Sequence, residues 1–173
     1  MILALLVACA APPGPEPEEE EVAAVSCPPE EPTDVVEGAN ATDIAVQNCA
    51  GETRTLHGLC GRPAIIVSLY GWCPSCQDNA ELAGALAEEH EDLAAAVVIV
   101  EDPLGAEVEA AYCEAWQEAW PSPAEVWMDQ SRALEIYGTT DLVLVLDREG
   151  RIRLVRQTSD QAVIRAAVEQ VSG

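Results

Sequence analysis

The chain contains no lysine: its eight basic residues are all arginine, and none precedes Arg54. Against them stand 31 acidic residues, a formal charge of −23. A surface of that sign repels phosphate backbones and anionic headgroups, which excludes nucleic-acid binding. The apolar run Met1–Cys9 is too short to cross a bilayer as a helix. No Ser/His/Asp triad, phosphate loop or dinucleotide fingerprint stands out, and no internal repeat is visible. Histidine is scarce, with only His57 and His90.

What is present begins at the N-terminus. Leu6-Val7-Ala8-Cys9 resembles the lipobox that ends a bacterial lipoprotein signal. That resemblance implies cleavage before Cys9 and lipidation of its thiol, with residues 1–8 as a signal remnant. The basic segment that opens such signals is missing and the apolar part is short, so the true start is expected upstream. The bland alternative is an accidental apolar N-terminus. Residues 9–42 are rich in Pro, Glu and Ala, as in Pro12-Pro13-Gly14-Pro15-Glu16. Such a composition buries too little apolar surface to offset chain entropy, while proline stiffness and charge repulsion extend it. It reads as a disordered tether.

From Asp43 the pattern becomes globular. Short strands are predicted at Asp43–Val46 and Thr53–Leu56 around the turn Asn48–Gly51. Ala64–Tyr70 and Ala95–Val100 are continuous apolar runs, as in strands buried on both faces. Helical spacing is read at Pro74–His90, Gly105–Trp116 and Ser131–Tyr137. Glu125–Met128 is a short strand, and Leu142–Leu146 and Arg151–Val155 flank the hairpin turn Asp147–Gly150. Ser159 is expected to cap a last helix ending near Val171. Alternating strands and helices predict one α/β domain over 43–173, a central mixed sheet flanked by helices with an N-terminal hairpin extension.

The chemistry concentrates at Gly71-Trp72-Cys73-Pro74-Ser75-Cys76, between a buried strand and a helix. Pro74 opens the helix, so Cys73 sits at its N-terminus, where free N–H groups and the helix dipole favour a thiolate. Cys76 lies one turn later on the same side. With the block Asn48–Gly61 and the hairpin Leu142–Ile152, this motif resembles the thioredoxin-like superfamily, specifically its extracytoplasmic TlpA/ResA-type redoxins. The resemblance covers about residues 43–171. It implies a thioredoxin-like sandwich and thiol–disulfide exchange, with Cys73 the nucleophile and Cys76 the resolving thiol. Trp72, Pro74 and Ser75 would surround the pair. The competing use of the pair is a structural disulfide.

The chain also departs from that family. Where the family has a cis-proline opposite the cysteines, six residues before the hairpin aspartate Asp147, this chain has Asp141. Its carboxylate could raise the Cys73 thiol pKa by repulsion or accept a proton, and the sequence leaves both open. The loop Gly138–Asp141 is expected to differ from the family's. Asn79 replaces a helix carboxylate, and Val67 and Ser68 stand where thioredoxin has a buried acid, so no proton-transfer residue carries over.

Four cysteines remain besides Cys9 and the pair. Cys49–Cys60 is the favoured disulfide, since a turn after one strand and the end of the next could approach. Cys113 either pairs with Cys27 or stays free and buried. Zinc usually needs two close ligand pairs, and the 49/60 spacing supplies no second pair. The family's copper-delivery members place a histidine late in the domain, whereas His57 and His90 are both early. No metal and no bound cofactor is therefore expected. The proline and threonine that precede a peroxiredoxin's cysteine are absent: Ile66 and Tyr70 hold those positions for Cys73, Leu69 and Cys73 for Cys76.

The function implied is an envelope thiol–disulfide oxidoreductase, lipid-anchored on the periplasmic or extracellular side. Its partners would be cysteine-containing envelope proteins and a membrane electron donor or acceptor. The alternative is a redox-inactive lipoprotein that keeps the fold as an interaction module.

Overall fold

The computed structural model describes residues 32–120 and 122–173. Cys9, Cys27, the signal remnant and most of the tether fall outside them. The strands are β1 (Thr33–Asp34), β2 (Asn40–Ala41), β3 (Ala45–Asn48), β4 (Thr53–Thr55), β5 (Ala64–Tyr70), β6 (Ala94–Glu101), β7 (Glu125–Met128), β8 (Leu142–Leu146) and β9 (Ile152–Gln157). The helices are α1 (Pro74–Glu89), α2 (Ala110–Ala119) and α3 (Gln161–Ser172).

Seven strands form a mixed sheet in the order β4-β3-β7-β6-β5-β8-β9. The central strands β5, β6 and β7 run parallel, and β8 and β3 pair antiparallel at either side. The apolar runs are buried on both faces because strand side chains alternate. Ile65, Val67 and Leu69 point to a core shared with α1, α2 and α3. Ala64 and Ile66 point to the opposite core, closed by Ile44, Leu56, Leu134 and Tyr137. Chain direction explains why α1 and α2 share a face. From β5 to β6 to β7 the chain steps the same way along the sheet, and right-handed crossovers then fall on one side.

Several boundaries differ from the sequence reading, each for a local reason. The helix expected from Gly105 begins at Ala110. Before it, the Asp102 carboxylate accepts the backbone N–H groups of Leu104 and Ala106 at 2.8 and 2.9 Å. Gly105 takes φ +77° within that turn. Turn chemistry therefore outcompetes helical spacing. The helix expected at Ser131–Tyr137 is a single 3-10 turn, Ala133–Ile136. The buried Asp129 holds its start, accepting the N–H groups of Ala133 and Leu134 at 2.8 and 2.7 Å. Asp160, not Ser159, caps α3 by accepting from the N–H groups of Ala162 and Val163. The packed chain also begins before Asp43. Ala41 is fully buried, and the 38–41 backbone bonds to Gly150 and Ile152.

Candidate active site

The pair lies where β5 ends and α1 begins, at the carboxyl edge of the parallel strands. Cys73 is the N-cap of α1, in extended conformation, and Pro74 occupies the first turn, where its missing N–H costs nothing. Cys73 and Cys76 are joined as a disulfide. The Cys76 N–H donates to Cys73 Sγ at 3.2 Å, so the first sulfur receives a helix-terminal donor. Both cysteines are buried, and Cys73, at 5% exposed against 0% for Cys76, is the less deeply buried of the two. The Ser75 hydroxyl lies 3.5 Å from Cys73 Sγ.

Asp141 closes the opposite side, 65 residues beyond Cys76 in sequence. Its backbone N–H donates to Cys76 Sγ at 3.3 Å, a bond that proline could not make. Its carboxylate Oδ1 lies 3.9 Å from Cys73 Sγ. The residue holds φ +57°, in the left-handed region that aspartate tolerates better than most side chains. Ser68 supports this loop: its hydroxyl donates to the Thr139 carbonyl at 2.8 Å and accepts the Leu142 N–H at 3.2 Å. Asn79 is buried, and its amide donates to the Thr158 carbonyl at 2.9 Å. Thr158 N–H in turn donates to the Asp141 carbonyl at 2.8 Å. Ser68 and Asn79, at or beside positions where an acid was sought, therefore shape the Asp141 loop.

A second layer was not legible in sequence. Trp72 is half exposed beside Cys73, and its indole N–H donates to Glu101 Oε2 at 2.7 Å. The other oxygen of Glu101 pairs with Arg132, whose guanidinium also holds Glu135 at 2.7 Å. Tyr70 donates its hydroxyl to Glu135 at 3.2 Å. The Trp72 hydrogen bond first, and then Arg132, hold the Glu101 carboxyl below the usual range. Burial, with Glu135 nearby, pushes the Tyr70 phenol up, so it stays a neutral donor. The only signal available was that Glu101 ends a buried strand parallel to the one entering the motif. Gly71 is required by close approach: a Cβ there would meet Pro103 N at 2.6 Å and Asp102 C at 2.7 Å.

The remaining cysteines correct the expected pairing. Cys49 bonds to Cys113, not to Cys60. This overturns both expectations for Cys113, pairing with Cys27 and a free thiol. The reason is the sheet itself: Cys49 packs with the helix-side core, while Cys60 lines a cleft with Leu56, Ala64 and Leu146 beside the other core. Cys60 is itself disulfide-bonded.

No family model and no curated protein matches the chain. Solved structures do. One is assigned as the thiol:disulfide interchange protein DsbE of Chlorobium tepidum, with TM-score 0.66 and 15% identity over 81% of this chain and 100% of that one. Another is the exposed lipoprotein thioredoxin Etrx1 of Streptococcus pneumoniae, with TM-score 0.60, 20% identity and coverage of 75% and 99%. A third is a secreted disulfide oxidoreductase of Mycobacterium tuberculosis homologous to DsbE, with TM-score 0.59, 12% identity and coverage of 73% and 95%. The chain has the thioredoxin-like fold. Identities this low carry the architecture and not the activity. Within that fold the Cys73–Cys76 pair, Trp72, Pro74, Ser75 and Asp141 converge on one edge. No helix among the described residues is long and apolar enough to cross a membrane.

Proposed function

We propose that this protein is a thiol–disulfide oxidoreductase of the bacterial cell envelope, exchanging disulfides with protein cysteine pairs through Cys73 and Cys76. The observation that carries the reading is the bonded pair at a helix N-terminus, with Cys73 as the N-cap and the less deeply buried of the two. Reduced, the Cys73 thiolate attacks one sulfur of a client disulfide, and the client's other sulfur leaves as a thiolate. Cys76 then attacks Cys73 Sγ, closing the Cys73–Cys76 bond and releasing the client's second thiolate. Two electrons pass to the client. The reverse sequence oxidises a client dithiol, and the two reduction potentials set the direction. No bound cofactor enters the exchange.

The envelope setting is supported by the Cys49–Cys113 disulfide, since such bonds persist in oxidising compartments. The apolar run ending at Cys9 supports a lipid anchor, with the Pro/Glu-rich segment as spacer. Partners would be envelope proteins carrying cysteine pairs and a membrane protein that resets the Cys73–Cys76 couple.

The test equilibrates the full chain with glutathione buffers and uses Cys76→Ser to trap partners. The Cys73–Cys76 pair should titrate between dithiol and disulfide, and Cys76→Ser should accumulate mixed disulfides through Cys73. A pair that neither cycles nor traps would instead leave the fold as a redox-inactive interaction module.

A further inference from the structure

We propose that the reduced protein binds one zinc ion per chain through Cys73 Sγ, Cys76 Sγ and Asp141 Oδ1. Among the described residues, these three ligand atoms all lie within 4.8 Å of one another. Tetrahedral zinc takes thiolate sulfur at about 2.3 Å and carboxylate oxygen at about 2.0–2.2 Å, which places S and O about 3.5 Å apart. The Cys73 Sγ to Asp141 Oδ1 distance of 3.9 Å is already close to that. Thiolates exclude magnesium and calcium, and a mixed S/O set suits zinc. Three protein ligands leave a fourth position for water.

Electrostatics argue for a cation. Among the described residues no arginine pairs with the Asp141 carboxylate, which instead faces Cys73 Sγ at 3.9 Å. Opening the disulfide beside it brings two ionisable sulfurs to one carboxylate, with up to three negative charges in a cleft that is mostly buried. A divalent ion held by all three atoms would offset that charge. The sulfurs are also held for a ligand role. Cys73 Sγ receives the Cys76 N–H at 3.2 Å and Cys76 Sγ the Asp141 N–H at 3.3 Å. Backbone donors of this kind orient and stabilise bound thiolates.

The site is gated by redox state. A dithiol reductant, or a client dithiol, delivers two electrons and two protons to the Cys73–Cys76 bond and is itself oxidised to a disulfide. Zinc then displaces the two thiol protons. While the pair is oxidised both sulfurs are bonded to each other and the ion has no site. Binding uses the opening of the pair that the exchange reading also needs, but no exchange with a protein client.

The experiment reduces the full chain with dithiothreitol, removes the reductant under anaerobic conditions and titrates zinc against a chromophoric chelator. One zinc per chain should bind to the reduced form and none to the oxidised form. Cobalt should give sulfur-to-metal charge-transfer bands and the visible bands of a tetrahedral site. Asp141→Asn keeps a side chain that tolerates the left-handed backbone and should weaken zinc by roughly tenfold or more. A Cys73→Ala/Cys76→Ala double variant, with thermal melting to check folding, should not bind. Unchanged affinity in Asp141→Asn, binding by the double variant, or one zinc shared by two chains would each overturn the proposal. Glutathione equilibration in the presence of EDTA reads the exchange chemistry separately, so the two can fail independently.

Discussion

Asp141 holds its carboxylate near one sulfur and its N–H on the other, and both depend on its φ of +57°. Proline is fixed near −65° and has no N–H, so it cannot occupy this backbone as it stands. Asp141→Pro should therefore lower stability by more than about 1 kcal/mol, read from the urea midpoint, instead of restoring the family's loop. An unchanged midpoint would mean that the Gly138–Asp141 loop has a second conformation of similar energy. The departure from the family was legible at this position, as a single residue counted back from Asp147. What the residue does there was not, because a backbone angle and a contact 65 residues away are not sequence properties.

The end of β6 and the 3-10 turn Ala133–Ile136 are tied together by Glu101, Arg132 and Glu135, and Glu101 also holds Trp72. Because folding lowers the Glu101 pKa, its contribution is fully present above the unfolded carboxyl value near about 4.3. It is lost as pH falls through the lower folded value. Glu101→Gln should melt below the wild type at pH 7, and the gap should close as pH drops below about 4. A gap that stays constant with pH would place the effect in packing instead of charge. At this level the strands β5, β6 and β8 were readable because each is a predominantly apolar run. The starts of α2 and α3 were less so, since Asp102 and Asp160 decide them through specific hydrogen bonds.

The Cys49–Cys113 bond spans 64 residues and joins the hairpin extension to α2 across the sheet edge. It closes a loop that contains the whole active-site motif. A cross-link of that span restricts the unfolded chain strongly, so Cys49→Ala/Cys113→Ala should cost about 2–4 kcal/mol in urea unfolding. The Cys73–Cys76 bond closes a sequence separation of only 3, and reducing it alone should move the urea midpoint far less. Equal sensitivity of the two would contradict the assignment of Cys49–Cys113 as the cross-link that carries stability.

Periodicity and turn chemistry were enough to determine an α/β chain with a cysteine pair opening a helix. These signals are local: apolar runs, a proline at the first helical position and two cysteines one turn apart. The partners of Cys49 and Trp72, and the approach of Asp141 to both sulfurs, were decided only when the sheet brought distant segments together. Cys49 and Cys60 are near in sequence yet associate with opposite faces of the sheet. The stretch Tyr-Gly-Trp-Cys-Pro-Ser-Cys places two cysteines at a helix start, and the fold determines what faces them, because contact across a sheet depends on strand order and register.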